Sequence, residues 1–531
     1  MRSSFSIFLG LAFTVFACGS SGSDATDNGG STPPSPEPTS PQTNPTDPPS
    51  KRSLAISAQP FVTLRRGKDV GVPLTITRTG FDGPVEITAT GAPSGVSAKS
   101  IVVPPGESSA SIVLAASLDA TLGKTKIKVR AKAAPNLETT ADVELLVADG
   151  QRLDSTFGKG GILQYWPDMH QRWSRALAVQ PDAKIIVSVQ WDPSAEGPPA
   201  ENMGGVYRFT EAGAIDPTFG TSSTTGLIEL PALRGAPEIA LQPDGKIIGC
   251  GIGKTDETLT LVRITPAGAL DTTFGTGGIL KGPAGLGTCY GIALDGSGRY
   301  VVTSYKRDSP SAITSSAVVL RYLASGALDT SFGSGGIVTT KLGGKTASLR
   351  MVRLAPSGSA LYFTGTRTME GTTYQRGIVA KMTDAGELDT TFGVQGVHED
   401  TYSVFEVMPL ASSLLYAVGT DVLRLSPQGT LDSTYKLDKG PPNGPILSYG
   451  MSVVDAQEMQ YRFKAAGGNW YAELWAFKPD GALDTSFANG GRISVQPGMD
   501  AQPNDMVIGP DGRLVVLAGS GAAIWMARFV L

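Results

Sequence analysis

Seven times along the chain a Leu or Ile precedes an Asp, a short hydroxylic stretch and an aromatic residue, and this recurrence constrains the fold more than any other feature. LDSTFGKGGIL begins at Leu153, LDTTFGTGGIL at Leu270, LDTSFGSGGIV at Leu328, LDTTFGVQGV at Leu388 and LDTSFANGGRI at Leu483. Weaker forms are IDPTFG at Ile215 and LDSTY at Leu431. The aspartates are Asp154, Asp216, Asp271, Asp329, Asp389, Asp432 and Asp484, separated by 43 to 62 residues. Self-similarity at that period signals a solenoid, a propeller or an array.

What fills the period chooses among them. ALRGAPEIALQPDGKIIGCGIG is followed by LTLVRITPAGALD, and NDMVIGPDGRLVVLAGSG by AIWMARFVL. Each unit therefore offers a strand after the Gly pair, a strand ending at PDG, a hairpin mate such as KIIGCG and a strand such as LVRI, with no helical period. Tandem four-stranded units make propeller blades, and seven is a usual number. The two ends of the ring are expected to meet without a strand from one completing the other's blade, strand order at the seam being open. Within the motif, Leu270 enters the core, the Asp accepts backbone N–H groups and locks the turn, and Phe274 wedges beneath it. Gly275, Gly277 and Gly278 suit positive φ as the chain re-enters a strand. A ring of calcium-binding or catalytic aspartates is disfavoured, because calcium needs several converging oxygens and each motif supplies one carboxylate.

LDTTFG and LDTSFG with GGI, paired with PDGKII and PDGRLVV, resemble the delta-60 repeats of bacterial exported proteins. The resemblance covers residues 151–531 and implies a propeller-like fold. Departures are Pro217 after Asp216 without a Gly pair, Tyr435 in place of Phe, and Ala488 in place of the Gly after Phe487.

The start of the chain reads as an address. Arg2, an apolar run from Phe5 to Phe16 and Ala17-Cys18 make a secretory signal over residues 1–17, too short for a membrane span. Its end resembles a bacterial lipobox, with Val15 and a small residue before the cysteine; this implies cleavage before Cys18 and lipidation of its thiol. Phe16 is bulkier than that pattern carries, which leaves ordinary secretion as the alternative. Residues 18–52 are rich in Pro, Ser and Thr and nearly devoid of apolar side chains, so they form a disordered tether. Residues 53–148 alternate in VGVPLTITRT, PVEITAT, SASIVLAAS and KIKVRAKA between turn clusters, which predicts a small β-sandwich. LTITRTGFDGPVEITATGAPSGVSA followed by SIVVPPGESSASIVLAAS is similar to the immunoglobulin-like modules of bacterial surface proteins, usually spacers. The expected fold is all-β: an N-terminal Ig-like β-sandwich followed by a seven-bladed β-propeller of delta-60-type repeats.

A formal net charge of −4 without a basic cluster excludes a nucleic-acid binder. The only histidines, His170 and His398, have no ligand-spaced neighbours, so no metal site, Ser/His/Asp relay or cofactor is expected. The PDG and LD turns share one end of the ring, and the irregular connections share the other, where binding usually lives. That end gathers Trp166, Trp173, Trp191, Trp470 and Tyr374 with Lys306, Arg307, Arg367 and Arg376, a set suited to sugars, carboxylates or a protein partner. Packing of the same aromatics against loop bases is the competing reading. Cys250 and Cys289 fall on neighbouring blades, in the third strand of blade two and just before the second strand of blade three; a disulfide and two buried thiols both fit. The expected protein is a monomeric, lipid-anchored binding or scaffolding component of the bacterial cell envelope, at the outer membrane or cell surface. It engages a protein or polysaccharide, and the alternative is a propeller-borne polysaccharide hydrolase or lyase.

Overall fold

The computed structural model describes residues 52–531 apart from 118, 122, 134–135, 149–152, 167–171, 192–201, 221–224, 310–313, 356–357, 359, 419–420, 438–449, 466–471, 489, 496–501 and 521–522. The signal, Cys18 and nearly all of the tether lie outside the described residues. Every regular element among the described residues is a β-strand.

Residues 53–148 form two packed sheets. One orders Ser53–Ala58, Asp69–Thr79, Ser109–Ala116 and Val96–Ala98; the other orders Phe61–Arg65, Leu137–Ala148, Gly123–Ala133, Val85–Thr90 and Ile101–Val103. The period of two decides which face is inside. In Gly123–Ala133 the buried set is Ile127, Val129, Ala131 and Ala133, while Lys126, Lys128, Arg130 and Lys132 face water.

Seven further sheets follow among the described residues. The first runs Arg172–Val179, Ile185–Trp191, Met203–Phe209 and Leu227–Leu230; the second runs Leu233–Leu241, Ile247–Gly253, Leu259–Ile264 and Ile279–Lys281. Each is an antiparallel meander. The third starts at Gly291–Leu294, the fourth at Thr346–Leu354, the fifth at Val404–Pro409, the sixth at Gly450–Val454 and the seventh at Gln502–Ile508. These first strands pack on one another from sheet to sheet, and Gln502–Ile508 packs on Arg172–Val179. The sheets thus curl around a common axis in the β-propeller manner.

Two expectations are corrected here. The strand after each Gly pair ends a sheet and does not open one: Ile279–Lys281 pairs with Thr260, Leu261 and Val262, because the motif folds the chain back on the strand before it. Before the first motif the preceding described strand, Leu137–Ala148, belongs to the sandwich. Ile162–Tyr165 therefore pairs with Ile524, Trp525, Met526 and Ala527, so the start of the repeat region completes the last sheet. With this offset Cys250 lies in the second strand of its sheet and Cys289 just before the first strand of the next. The two cysteines are buried and disulfide-bonded, with Cα atoms 5.7 Å apart.

The motif itself clamps sheet to sheet. Asp271 Oδ1 accepts the Thr273 amide at 3.1 Å and its hydroxyl at 2.6 Å, while Oδ2 accepts Arg263 Nε at 2.7 Å. Arg263, eight residues earlier in the third strand, lies over the Phe274 ring at 4.6 Å and donates through Nη1 to the Ala324 carbonyl of the next sheet at 2.8 Å. Arg208 with Asp216 and Phe219, Arg321 with Asp329 and Phe332, Arg424 with Asp432 and Tyr435, and Arg528 with Asp154 and Phe157 repeat the arrangement. Lys381 serves Asp389 at 2.8 Å. The next unit's glycine covers the ring: a Cβ on Gly268 would lie 2.2 Å from the Gly220 nitrogen and 2.8 Å from Phe219. The arginine and the glycine are both visible in VRITPAGALD, LRYLASGALD and LRLSPQGTLD, upstream of the motif aspartate.

The sandwich docks where the ring is closed. Phe61 and Leu146 bury themselves against Val530, and Arg513 lies over the Phe61 ring at 4.8 Å. Lys124 pairs with Glu211 in a turn of the first sheet, and Arg513 bonds the same carboxylate at 3.0 Å. Arg65 comes within electrostatic reach of Asp484, the one motif aspartate with an alanine, Ala476, in place of the cation.

Candidate functional site

The two ends of the ring differ because the motif and PDG turns occupy one and the sandwich covers part of it. At the other end Trp166, Trp173 and Tyr374 are 57%, 41% and 79% exposed, and Tyr402, which the sequence reading missed, is 68% exposed. Lys306, Arg307 and Arg376 are also exposed there, and Arg376 Nη1 donates to Thr401 Oγ1 at 3.2 Å.

Two residues of the expected set are elsewhere. Trp191 is buried, because its place in Ile185–Trp191 faces the core and its ring fills the space beside Gly205, where a Cβ would come within 2.7 Å. Arg367 is buried too, its Nε donating to Glu399 Oε1 at 2.7 Å and its Nη1 to the Leu342 carbonyl, so it ties strands together. Trp470 and His170 lie outside the described residues. His398 bridges two sheets, with Nδ1 3.1 Å from the Gly429 carbonyl and Nε2 3.2 Å from the Tyr416 hydroxyl, which donates to Asp400 at 3.0 Å.

A second constellation lines the axis. The first strands of five sheets carry a register shift: Ser174/Leu177, Arg234/Glu238, Leu349/Met351, Val404/Glu406 and Pro503/Asp505. Bulges re-aim side chains, and here they deliver Arg175, Glu238, Arg350, Glu406 and Asp505. The acids are buried and bind neighbouring sheets: Glu238 Oε1 accepts Arg175 Nε at 2.5 Å, Glu406 Oε2 the Ser452 amide at 2.8 Å, and Asp505 Oδ2 the Leu177 amide at 2.7 Å. Arg353 lies within electrostatic reach of all three. Burial lowers its pKa, while Glu406, Asp505 and Glu238, from the fifth, seventh and second sheets, raise it. Only the axis is near three such separate sheets at once. The signal was present in the sequence: Glu238 and Asp505 each stand five residues before the proline of a PDG turn.

Toward the irregular end Tyr290 stacks on Tyr305 at 5.7 Å. Burial, with Tyr305, pushes its phenol up, and the positive charges of Arg350, Arg175 and Arg307 act in the opposite direction. Among the described residues no group of three or more His, Cys, Asp or Glu side chains is arranged to hold a metal ion.

A family model described as a domain of unknown function (DUF5122), beta-propeller, matches residues 242–274. That stretch spans the PDG turn, two strands and the Arg263–Asp271–Phe274 clamp. No curated protein matches the chain significantly. Among solved structures, a quinonprotein alcohol dehydrogenase-like protein from Bacteroides thetaiotaomicron VPI-5482 is 7% identical with a TM-score of 0.32, covering 82% of this chain and 95% of its own. Regucalcin, a calcium-binding protein from Agrobacterium tumefaciens str. C58, is 13% identical with a TM-score of 0.32, covering 70% and 95%. An alpha-L-arabinanase of Penicillium chrysogenum, complexed with arabinobiose, is 11% identical with a TM-score of 0.32, covering 68% and 93%. Likenesses this distant carry no argument about what this chain does.

Proposed function

We propose that the chain is an extracytoplasmic binding protein of the bacterial envelope, monomeric and held to a membrane by a lipid on Cys18. In this reading residues 18–52 are a tether, residues 53–148 an Ig-like spacer, and residues 151–531 a seven-bladed propeller of delta-60-type repeats that engages a polysaccharide or protein through its irregular end. The observation that carries it is the asymmetry of the ring. One end presents Trp166, Trp173, Tyr374 and Tyr402 with Lys306, Arg307 and Arg376 to solvent, whereas the opposite end is built of clamped turns and partly covered by the sandwich. Aromatic faces stack on sugar rings and supply rigid contact area for proteins, and guanidinium groups select carboxylates. The axial acids, each already engaged by a backbone amide or Arg175, support binding in preference to cleavage.

The test is titration of the full chain with a panel of envelope and extracellular polysaccharides, alongside Trp173→Ala, Tyr374→Ala and Tyr402→Ala. Saturable binding that weakens at least tenfold in folded variants is expected, with the polymer intact by size-exclusion chromatography. Shortened polymer would turn the reading to the enzyme, and no binding to any glycan would redirect it to protein partners.

A further inference from the structure

We propose that a pocket at the turn end of the sixth sheet binds the guanidinium group of an arginine side chain carried by a protein partner, with Asp484 as its acceptor. The site lies at the opposite end of the ring from the surface proposed above and stands independently of it.

The repeat itself shows what a motif aspartate holds. In six of the seven motifs Oδ2 accepts a cation of the third strand at 2.7–2.9 Å, from Arg208, Arg263, Arg321, Arg424, Arg528 or Lys381. In four of them a residue at the start of the second strand brings a further cation to the same oxygen: Lys184 at 3.6 Å, Lys246 at 3.5 Å, Arg299 at 3.7 Å and Arg513 at 3.3 Å. In the sixth sheet both places are apolar. Ala476 takes the first, its carbonyl accepting the Asp484 amide at 2.9 Å as the Arg263 carbonyl accepts the Asp271 amide at 2.8 Å. Met459 takes the second, its carbonyl accepting the Asp455 amide at 3.0 Å as the Lys246 carbonyl accepts the Gln242 amide at 2.8 Å.

Asp484 Oδ1 accepts the Ser486 amide at 3.1 Å and its hydroxyl at 2.6 Å, as in the other motifs, whereas Oδ2 meets no donor among the described residues. Arg65 of the sandwich comes within electrostatic reach but forms no ion pair with Asp484, and its Nε has no hydrogen-bond partner. Met459 and Asp484 both line an open pocket of about 520 Å³, together with Lys478, Pro479 and Asp480. The Met459 and Pro479 side chains offer apolar surface to the alkyl stem of a basic residue, and Lys478, exposed, is paired with neither acid. A guanidinium group presents paired N–H donors that match a carboxylate, and five sister aspartates already hold one.

Fluorescence anisotropy of a labelled acetyl-Gly-Arg-Gly peptide, titrated with the full chain at low ionic strength, tests the assignment. Citrulline in place of the arginine is the neutral isostere, and lysine is the alternative cation. Saturable one-to-one binding of the arginine peptide is expected, weakening as salt rises, with the lysine peptide severalfold weaker and the citrulline peptide not bound. Asp484→Asn should weaken binding tenfold or more. Met459→Lys and Ala476→Arg, which return the cations that sister sheets carry, should do the same by filling the site from within. Asp244→Asn, an equal change of charge in a turn of the second sheet, should leave binding unchanged. Met459→Lys decides the matter if thermal melting shows that Asp484→Asn is unfolded. The inference is overturned if the arginine peptide does not bind, if the lysine or citrulline peptide binds as tightly, or if binding survives in the folded Asp484→Asn or Met459→Lys variant. Peptide binding and polysaccharide binding depend on different residues, so either reading can fail alone.

Discussion

Arg528 Nε lies 2.8 Å from Asp154 Oδ2, although the two residues are 374 positions apart in the chain. One is in the last strand and the other in the first motif, so this pair turns a linear repeat into a ring. Arg528 also donates to Thr156 Oγ1 at 3.0 Å and to the Glu211 carbonyl, and lies over Phe157 at 4.8 Å. Burial brings its pKa down to about 10 against Asp154, which raises it, so it stays charged at neutral pH.

Arg528→Met is therefore expected to cost about 2–4 kcal/mol, because it strips a buried carboxylate of its closest cation while Arg513 remains 3.3 Å away. Arg424→Met, at the corresponding pair whose side chains are 25% and 26% exposed, should cost only about 0–1 kcal/mol. Urea unfolding of the two variants measures the difference. Equal losses would mean that the clamp contributes the same wherever it sits, independent of burial and closure.

The clamp also sorts the glycines. Gly268→Ala meets the Gly220 nitrogen at 2.2 Å with φ at +83°, and about 2–4 kcal/mol should be lost as two sheets are pushed apart. Gly277→Ala, at φ +63° with nothing within 4 Å, carries only the backbone term of about 1 kcal/mol. Thermal melts side by side decide it, and a milder Gly268 variant would show that the neighbouring sheets yield.

The disulfide closes a separation of 39 residues between adjacent sheets. Cys250→Ala/Cys289→Ala should lower stability by about 3–4 kcal/mol through the freer unfolded chain. A thiol assay on the denatured, unreduced protein should find neither cysteine reactive; two reactive thiols would contradict the bond.

His398 gives a pH dependence of known sign. Burial lowers its pKa, outweighing Asp400, the Gly429 carbonyl and Glu399, so between the depressed value and 6.5 the unfolded chain binds the extra proton. Stability from this site is complete above pH 6.5 and declines as pH falls below it. His398→Gln should flatten that decline between pH 7.5 and 5.5, read as the denaturation midpoint. A wild-type curve that rises toward acid would refute the assignment.

Local chemistry was legible in the residues themselves. The period of two in KIKVRAKA marks the inward face of its strand, and the hydroxyl after each motif aspartate marks a turn that closes on itself, because both are decided within a few residues. The offset of the repeat was not legible: whether ILQY pairs forward or with the far end depends on which strand has a free edge, and only closure of the whole ring supplies one. Trp191 shows the same limit. Its neighbours suggested an exposed aromatic at the head of a loop, but the space beside Gly205 drew it inside. The axial charges were hidden for a related reason: Glu238, Arg353, Glu406 and Asp505 are distant in sequence, and bulges in strands from different sheets bring them into one electrostatic neighbourhood. Sequence by itself determined the repeating unit and its turn, which are local bonds; the tertiary structure decided where the ring closes, which aromatics reach solvent and which charges share the axis, because those depend on packing between segments the chain keeps far apart.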